Sequence, residues 1–504
     1  KGVKGQVHSM VVADAKLFVS TQAGGIYCFA NPGTSPANTM VWNEPEASLA
    51  TSPQSRKLAV SLVAEAASPH GVAVVLGLRD GSLVRALLRE STYHVIAIDN
   101  DVDRISQLRE QLQSAGMYGA RAAVLQGDPR TISLPQYLAT LITTEMRGGL
   151  KDVSPNLLQS LRPFGGVAAL GIKPGSQFAS KEALQSQNPG RFLAAELDGN
   201  VLIRRIGALP GTADYRGNYA HCEDTLVRFP LGVLWFDDTL AHFKRSPQPL
   251  FKNGVMVSRP KDWHAPRIKG NWSVDYPLMR PVLSDIYTGR VFDESEEAAL
   301  RKSLPPLDLK TPQQSYYHAP DQKTALLPNP PDPILAGERV NPLTGLKEPR
   351  VFPKTYGCDG GVDYGMFYTL RSGTAAFYDK TLESGTVFIS GPRSGCTNSI
   401  IPSGGLLNVP YFYEGCTCSY PLPTALSMVA MPETHEQWSS WGTDTVKPAS
   451  IERIGLNFGA PGDRKTRDGT LWLDYPSIGG PSPQITVVTK PEKPTFRYRH
   501  SNWM

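Results

Sequence analysis

The feature that most constrains the fold is a stretch from about residue 55 to about residue 208, in which strand-like and helix-like segments alternate. Residues 71–76 form a continuous apolar run, which is typical of a strand buried in a parallel sheet. The predicted elements are a helix over 56–67, a strand over 71–76, a helix over 82–90, a strand over 94–98, a helix with Ile105, Leu108 and Leu112 on one face, and strands over 122–125 and 137–142. Strands that alternate with helices pair in parallel through right-handed crossovers, so we predict an α/β domain here.

Glycines and acidic residues stand at the carboxyl ends of these predicted strands. The first strand is followed by Gly77-Leu78-Arg79-Asp80-Gly81, the second ends in Asp99, and the third leads to Asp128. Ligands of doubly wound sheets bind beyond the carboxyl ends of the strands. The sequence therefore predicts a binding site at this edge of the sheet.

This order of strands, glycines and acids resembles the class I methyltransferases. The resemblance implies that Gly77 and Gly81 let the backbone approach the methionine part of S-adenosylmethionine. It also implies that Asp99 binds the ribose hydroxyls and that Asp128 lies beside the adenine. These four residues are the predicted S-adenosylmethionine-like site, and this cofactor is the one that the domain implies.

The sequence departs from the methyltransferase pattern in two places. Arg79 stands where the family usually has the middle glycine of its turn, and its side chain either clashes with the cofactor or folds outward. The segment Thr143-Thr144-Glu145 lacks the Asn/Asp-Pro-Pro-Tyr motif with which amine methyltransferases hold the acceptor nitrogen. Catalysis, cofactor binding without turnover and a purely structural remnant all stay open, and we expect a degenerate domain.

The segments on both sides of this domain are rich in short predicted strands. Hairpin patterns recur over residues 11–30, 284–292 and 367–379, and recurring hairpins are typical of propeller blades. The 46 glycines and 43 prolines of the chain also favour turns and β structure over helical bundles. We therefore predict a mixed fold, in which an α/β Rossmann-like domain is inserted into a β-propeller that is partial or is completed by a missing segment or another chain.

The predicted domains follow from these patterns. They are propeller strands at 1–54, the methyltransferase-like insert at 55–208, propeller blades at 209–302, a proline-rich connector at 303–355, cysteine-containing blades at 356–475 and a C-terminal extension at 476–504.

Several motifs in the second half resemble large secreted proteins of planctomycete-type bacteria, which carry pyrroloquinoline-quinone-like propellers and often a methyltransferase-like insert. They are Tyr356-Gly357-Cys358, residues 370–375, 393–398, 415–421, 453–464 and 468–472. The resemblance implies this architecture but no settled activity. A quinone site is not expected, because Cys416 and Cys418 are not an adjacent pair.

The cysteines and arginines of this half supply the remaining candidate residues. Cys358, Cys396, Cys416 and Cys418 are candidates for structural disulfides in an exported protein, with a metal site or reactive thiol as the alternative. Arg371 and Arg393 stand next to Ser-Gly turns. With Asn398, they are candidates for a central channel that binds an anionic group, or else they lock turns between blades.

The net charge and the hydropathy of the chain limit the kinds of partner that it is expected to bind. A net charge of +5 over 504 residues is too dilute for nucleic acid, and no apolar run approaches the length of a membrane span. No pair of CxxC motifs indicates a zinc site, and we predict no metal. The N-terminus lacks the parts of a signal peptide, so we expect a processed or truncated product.

These observations favour an exported binding or scaffold protein at the cell surface or in the periplasm. Its expected partner is another protein or the remainder of a longer precursor, and a glycan is an alternative. The competing functions are a propeller enzyme, either a quinone-type oxidoreductase or a carbohydrate-active enzyme, and an S-adenosylmethionine-dependent methyltransferase. Whether the chain is an enzyme stays open.

Overall fold

The computed structural model describes residues 3–22, 24–31, 49–66, 68–146, 148–149, 155–171, 192–198, 200–217, 219–237, 249–258, 280–302, 304, 334–340, 347–352, 361–372, 374–389, 400–410, 424–432, 453–458, 464–465, 470–475, 488 and 490–492. No helix within these ranges is long and apolar enough to cross a membrane. The chain divides into two compact units, one formed by Lys1–Ser48 with Ser114–Gly116 and the other by Leu49–Gln113 with Met117–Met504.

The first unit contains a small antiparallel sheet. Its strands, in the order β1-β2-β3, are β1 (Val7–Ala13), β2 (Lys16–Thr21) and β3 (Ile26–Phe29). The strands predicted over 11–30 are confirmed, but β1 begins before the predicted range, so that the hairpin becomes a three-stranded sheet. Every residue of β1 is exposed, including the apolar Val11 and Val12.

The second unit begins with the α/β domain that the sequence predicts. Its elements are α1 (Pro53–Glu65), β4 (Val72–Leu76), α2 (Ser82–Glu90), β5 (His94–Asp99), α3 (Val102–Ser114), β6 (Ala122–Gln126), β7 (Leu141–Thr143), a 3₁₀ helix (Pro155–Ser160), β8 (Val167–Ala169), β9 (Phe192–Leu197) and β10 (Asn200–Arg205). The predicted helices and the first three predicted strands are confirmed within a few residues. The fourth strand is shorter than predicted and shifted toward its carboxyl end.

These strands form one mixed sheet of seven strands in the order β6-β5-β4-β7-β8-β10-β9. The strands from β6 to β8 are parallel, whereas β10 runs antiparallel to both β8 and β9. The order reverses at β4, because the chain goes from β4 to β5 and β6 on one side and to β7 and β8 on the other. A doubly wound sheet binds its ligands at such a switch point.

The apolar run of β4 supplies both faces of the sheet. Ala73 and Val75 belong to a core with the buried sides of α1, α2 and α3, and Val74 and Leu76 belong to a second core with the 3₁₀ helix. Alternate residues of a strand point to opposite faces, so an uninterrupted apolar sequence is what a strand covered on both sides requires. The carboxyl end of β4 is thereby fixed between two packed layers.

The rest of the chain is mainly β structure. Its described elements are β11 (Leu231–Asp237), β12 (Leu250–Lys252), β13 (Val255–Ser258), β14 (Val282–Asp285), α4 (Glu294–Leu300), β15 (Ile334–Val340), β16 (Lys347–Phe352), β17 (Val362–Asp363), β18 (Phe367–Ser372), β19 (Thr374–Asp379), β20 (Val387–Ile389), β21 (Ile401–Ser403), β22 (Leu406–Val409), β23 (Ala425–Ala430), β24 (Ile454–Phe458), β25 (Arg464–Lys465) and β26 (Leu471–Tyr475). They form separate sheets of two to four strands.

The predicted propeller is not shown by the residues that the structure describes. The hairpin predicted over 367–379 is present as β18 paired with β19, and β17 to β20 form a consecutive four-stranded meander like one blade. The other four-stranded sheet instead brings β11 beside β23, far away in sequence, in the order β11-β23-β22-β21. The hairpin predicted over 284–292 is present only as the end of β14 and an isolated bridge between Ser284 and Val291. Two of the three predicted hairpins are therefore confirmed, whereas nothing in the described part supports their closure into a ring or a quinone-type repeat.

A buried ion pair joins the α/β domain to the turn after β14. The Arg162 guanidinium donates to both carboxylate oxygens of Asp285, at 2.6 and 3.1 Å, and both side chains are nearly buried. Arg205 donates nearby to the carbonyls of Gln159 and Leu161, at 3.0 and 2.6 Å. Burial lowers the pKa of Arg205 to about 10. The sequence analysis did not single out any of these residues.

Candidate functional site

The turn between β4 and α2 requires glycine at two positions. Gly77 and Gly81 have φ angles of 76° and 70°, in the left-handed region that favours glycine. A β-carbon at position 77 would also lie 2.6 Å from the Cγ and Sδ atoms of Met146, and one at position 81 would lie 2.6 Å from Leu108 Cδ1. In this structure the Met146 side chain therefore occupies the space beside Gly77 in which the resemblance places the cofactor.

Asp99, the last residue of β5, is bound within the protein. One carboxylate oxygen accepts the Leu78 N–H at 2.5 Å, and the other accepts the Asp101 N–H at 2.7 Å and Arg104 Nη2 at 3.1 Å. Only 2% of the residue is exposed. The carboxylate ties the glycine turn to the start of α3, and its partner Arg104 has a half-exposed side chain.

Asp128, which follows β6, lies on the same cavity and is exposed. One of its carboxylate oxygens accepts the Arg130 N–H at 2.9 Å. The cavity has a volume of about 230 Å³ and is lined by Leu78, Arg79, Asp99, Asn100, Arg104, Asp128, Pro129, Arg130, Glu145 and Met146. The structure thus brings the two predicted acids together beyond the carboxyl ends of β4, β5 and β6.

Cations balance the acids around this cavity. Arg79 points its half-exposed side chain toward Asp80, at 3.4 Å. Arg104 pairs with both Asp99 and Asp101, and its Nε atom has no hydrogen-bond partner among the described residues. The backbone N–H of Arg104 is the main group that lowers the pKa of the exposed Asp101 carboxyl. The cavity therefore presents guanidinium donors as well as carboxylate acceptors.

Glu145, which the sequence analysis did not select as a site residue, occupies the glycine turn. Its carboxylate accepts the backbone N–H groups of Arg79 at 2.9 Å, Gly81 at 2.9 Å and Leu83 at 2.5 Å. The first N–H groups of a helix have no partner within the helix and attract anions, so this carboxylate fills the anion site of α2. The available signal was an acidic residue two positions after the end of β7, the strand next to β4.

A second, smaller cavity adjoins the first. It has a volume of about 100 Å³ and is lined by Leu58, Leu62, Thr143, Thr144, Met146, Ala169, Gly171, Leu197, Asp198, Asn200, Val201 and Leu202. Met146 is the one residue shared by the linings of the two cavities. Its side chain, which is 36% exposed, is therefore a common wall between them.

The other candidate residues lie outside the side chains that the structure describes. For Arg371 only the backbone is placed, in β18, and the residues Arg393, Asn398, Cys358, Cys396, Cys416 and Cys418 fall in segments that are not described. Cys28 and Cys222 are free thiols, the first exposed and the second buried. No group of three His, Cys, Asp or Glu side chains that could hold a metal occurs in the described portion.

No family model matches the chain, and no curated protein matches it. Among solved structures, it is similar to a putative S-adenosyl-L-methionine-dependent methyltransferase from Methanococcus maripaludis, with 17% identity over 31% of this chain and 85% of that chain and a TM-score of 0.25. It is also similar to a geranyl diphosphate methyltransferase in complex with S-adenosylmethionine. The identity is 11% over 30% of this chain and 84% of that chain, and the TM-score is 0.23.

A third similar structure is a putative sarcosine dimethylglycine methyltransferase from Galdieria sulphuraria, with 15% identity and a TM-score of 0.24. The match covers 28% of this chain and 63% of that chain, so the chain spans less than two thirds of that protein. The seven-stranded mixed sheet and its switch point at β4 fit the Rossmann-like α/β domain that the sequence predicts.

Proposed function

We propose that the α/β domain is a nucleoside-binding domain of the S-adenosylmethionine type. The observation that carries this proposal is the single cavity that Asp99 and Asp128 line at the switch point of the sheet. Carboxylates at the ends of neighbouring strands are suited to accept hydrogen bonds from ribose hydroxyls and an exocyclic amine. The methyltransferase alternative is therefore favoured over an exported propeller scaffold, for which the described residues give no support.

The residues present fit the nucleoside half of the cofactor better than its amino-acid half. Asp128 is exposed and lines the cavity, so its carboxylate can accept hydrogen bonds from a nucleoside. The glycine-turn amides, by contrast, already bind Glu145. A bound S-adenosylmethionine supplies an electrophilic methyl group, and the residues of this chain would hold its nucleoside at Asp99 and Asp128.

Binding of 5′-methylthioadenosine tests the proposal, because this molecule carries the nucleoside and the sulfur but no amino acid. We expect isothermal titration calorimetry to show binding to the wild-type chain and affinity about 10-fold or more weaker for Asp128→Asn. Loss of a hydrogen bond to a charged group costs about 1.5–3 kcal/mol, and 1.4 kcal/mol is tenfold in affinity. The matched control is Glu110→Gln, which removes one negative charge from an exposed position of α3. Absence of binding by the wild type, or equal binding by D128N, contradicts the proposal.

A further inference from the structure

We propose that Glu145 and Met146 are an internal occupant of the cofactor cavity, which must withdraw before a ligand with an amino-acid tail can bind. This inference rests on the proposed function, since it concerns the regulation of the same site. It assigns a binding role to two residues that follow β7 and that belong to no motif in the sequence.

The Glu145 carboxylate occupies the junction of the glycine turn with α2. It accepts the backbone N–H groups of Arg79 and Gly81 in the turn and of Leu83 in the first turn of the helix. Unpaired N–H groups at the start of a helix are suited to bind an anionic ligand. A ligand carboxylate and the Glu145 carboxylate cannot accept the same N–H groups together, and two negative charges at one helix end repel each other. A tailed ligand therefore competes directly with Glu145.

The thioether side chain of Met146 fills the space next to Gly77. A β-carbon on Gly77 would lie 2.6 Å from the Sδ and Cγ atoms of Met146, so this side chain takes up the open space above the glycine. The same side chain lines both cavities. Methionine is unbranched and flexible, and its withdrawal joins the two cavities into one larger pocket. The present volume of about 230 Å³ lies below the roughly 300–1,000 Å³ of pockets that hold drug-sized ligands.

The backbone on both sides of this pair is closely packed. Gly148 and Gly149 have φ angles of 80° and 78°, and Gly149 packs so closely on Gly171 that a β-carbon would lie 2.4 Å from the Gly171 carbonyl oxygen. On the other side, the Glu145 N–H donates to the Gly77 carbonyl at 3.2 Å. The backbone of the pair is therefore held on both sides, and withdrawal from the cavity is a movement of its two side chains.

Two ligands separate this inference from the proposed function. S-adenosylhomocysteine carries an amino-acid carboxylate, whereas 5′-methylthioadenosine does not. We expect Glu145→Ala to strengthen binding of S-adenosylhomocysteine about 10-fold or more, because the apparent affinity of a site rises with the fraction of molecules in which it is open. The affinity of the same variant for 5′-methylthioadenosine should change little. Calorimetric titration of both ligands gives the comparison.

Three variants complete the design. Met146→Ala should strengthen binding of both ligands, since both carry the sulfur that would take the place of the thioether. Glu110→Ala removes the same charge from an exposed position of α3 and should leave both affinities unchanged. Glu145→Gln keeps the shape of the side chain without its charge and repeats the test if Glu145→Ala does not fold.

Each result has one interpretation. A selective gain for S-adenosylhomocysteine in the Glu145 variants supports the internal occupant. Equal affinities of the wild type and of the Glu145 variants for S-adenosylhomocysteine overturn it and leave the proposed function intact. If neither ligand binds to the wild type or to any variant, the proposed function is overturned, and the occupant is overturned with it.

Discussion

The α/β domain and the β-rich part that follows it are organised around different centres. Two apolar clusters cover the two faces of one seven-stranded sheet in the α/β domain. The β-rich part is divided among several apolar clusters, one of which contains the hydroxyl-bearing Tyr215 and Tyr364. The buried Asp224 of this part accepts the N–H groups of Ala213, Leu226 and Gly405 at 2.8–3.2 Å, and Gly405 lies 181 residues away in sequence. A single sheet therefore organises the first region, whereas a buried carboxylate joins separate segments of the second.

The largest effect is expected where the two regions meet. Arg162→Ala leaves the Asp285 carboxylate buried without its guanidinium partner, and breaking a buried pair in this way costs about 3–5 kcal/mol of unfolding free energy. Urea unfolding followed by circular dichroism measures it. The matched control is Arg204→Ala, because its ion pair with Glu65 is partly exposed and such pairs are worth about 0–1 kcal/mol. Equal losses in the two variants contradict the role assigned to the junction.

A smaller effect distinguishes packed from exposed apolar residues. Ile142→Ala removes a fully buried side chain of β7, and we expect a loss of about 2–5 kcal/mol in unfolding free energy. The same substitution at Ile26, which is 79% exposed in the N-terminal sheet, should stay within about 0.5 kcal/mol. Chemical denaturation of both variants tests the contrast. A large loss at Ile26 shows that this residue is covered in solution.

The smallest effect is a difference in pH dependence. Burial is the main cause that raises the pKa of Asp224 above its usual value of 3.8, so between the two pKa values the native state holds a proton that the unfolded chain releases. The contribution of Asp224 is fully present below the unfolded pKa and is lost as the pH rises through the folded pKa. Unfolding free energies measured from about pH 4 upward should therefore fall more steeply for the wild type than for Asp224→Asn. Asp198→Asn, at an exposed site, should keep the wild-type slope, and parallel curves for the wild type and D224N refute this assignment.

The features that could be predicted from the sequence lie mainly in the α/β domain. The spacing of Ile105, Leu108 and Leu112 placed one face of α3 in the core, and all three are buried. Asp99 and Asp128 line one cavity, because the carboxyl ends of neighbouring parallel strands must share an edge. These features depend on the local spacing of apolar residues and on a general rule of sheet topology.

The remaining features depend on contacts between residues far apart in sequence. Glu145 meets the glycine turn only because β7 pairs with β4 and because its side chain has the length to reach the amides. The pairing of Arg162 with Asp285 likewise has no local signal. The propeller prediction relied on local hairpins such as β18–β19. Such hairpins do not determine how separate sheets assemble.

The attachment of Glu145 to the chain has a consequence for ligand concentration. A group tethered by a short segment acts as a competitor at an effective concentration in the millimolar range, independent of what the surroundings contain. Any free molecule that uses the same three amides must exceed this constant competitor in concentration or in intrinsic affinity. The ligand concentration that half fills the site would then be raised by a constant factor, and a single carboxylate in the protein's own sequence would set that factor.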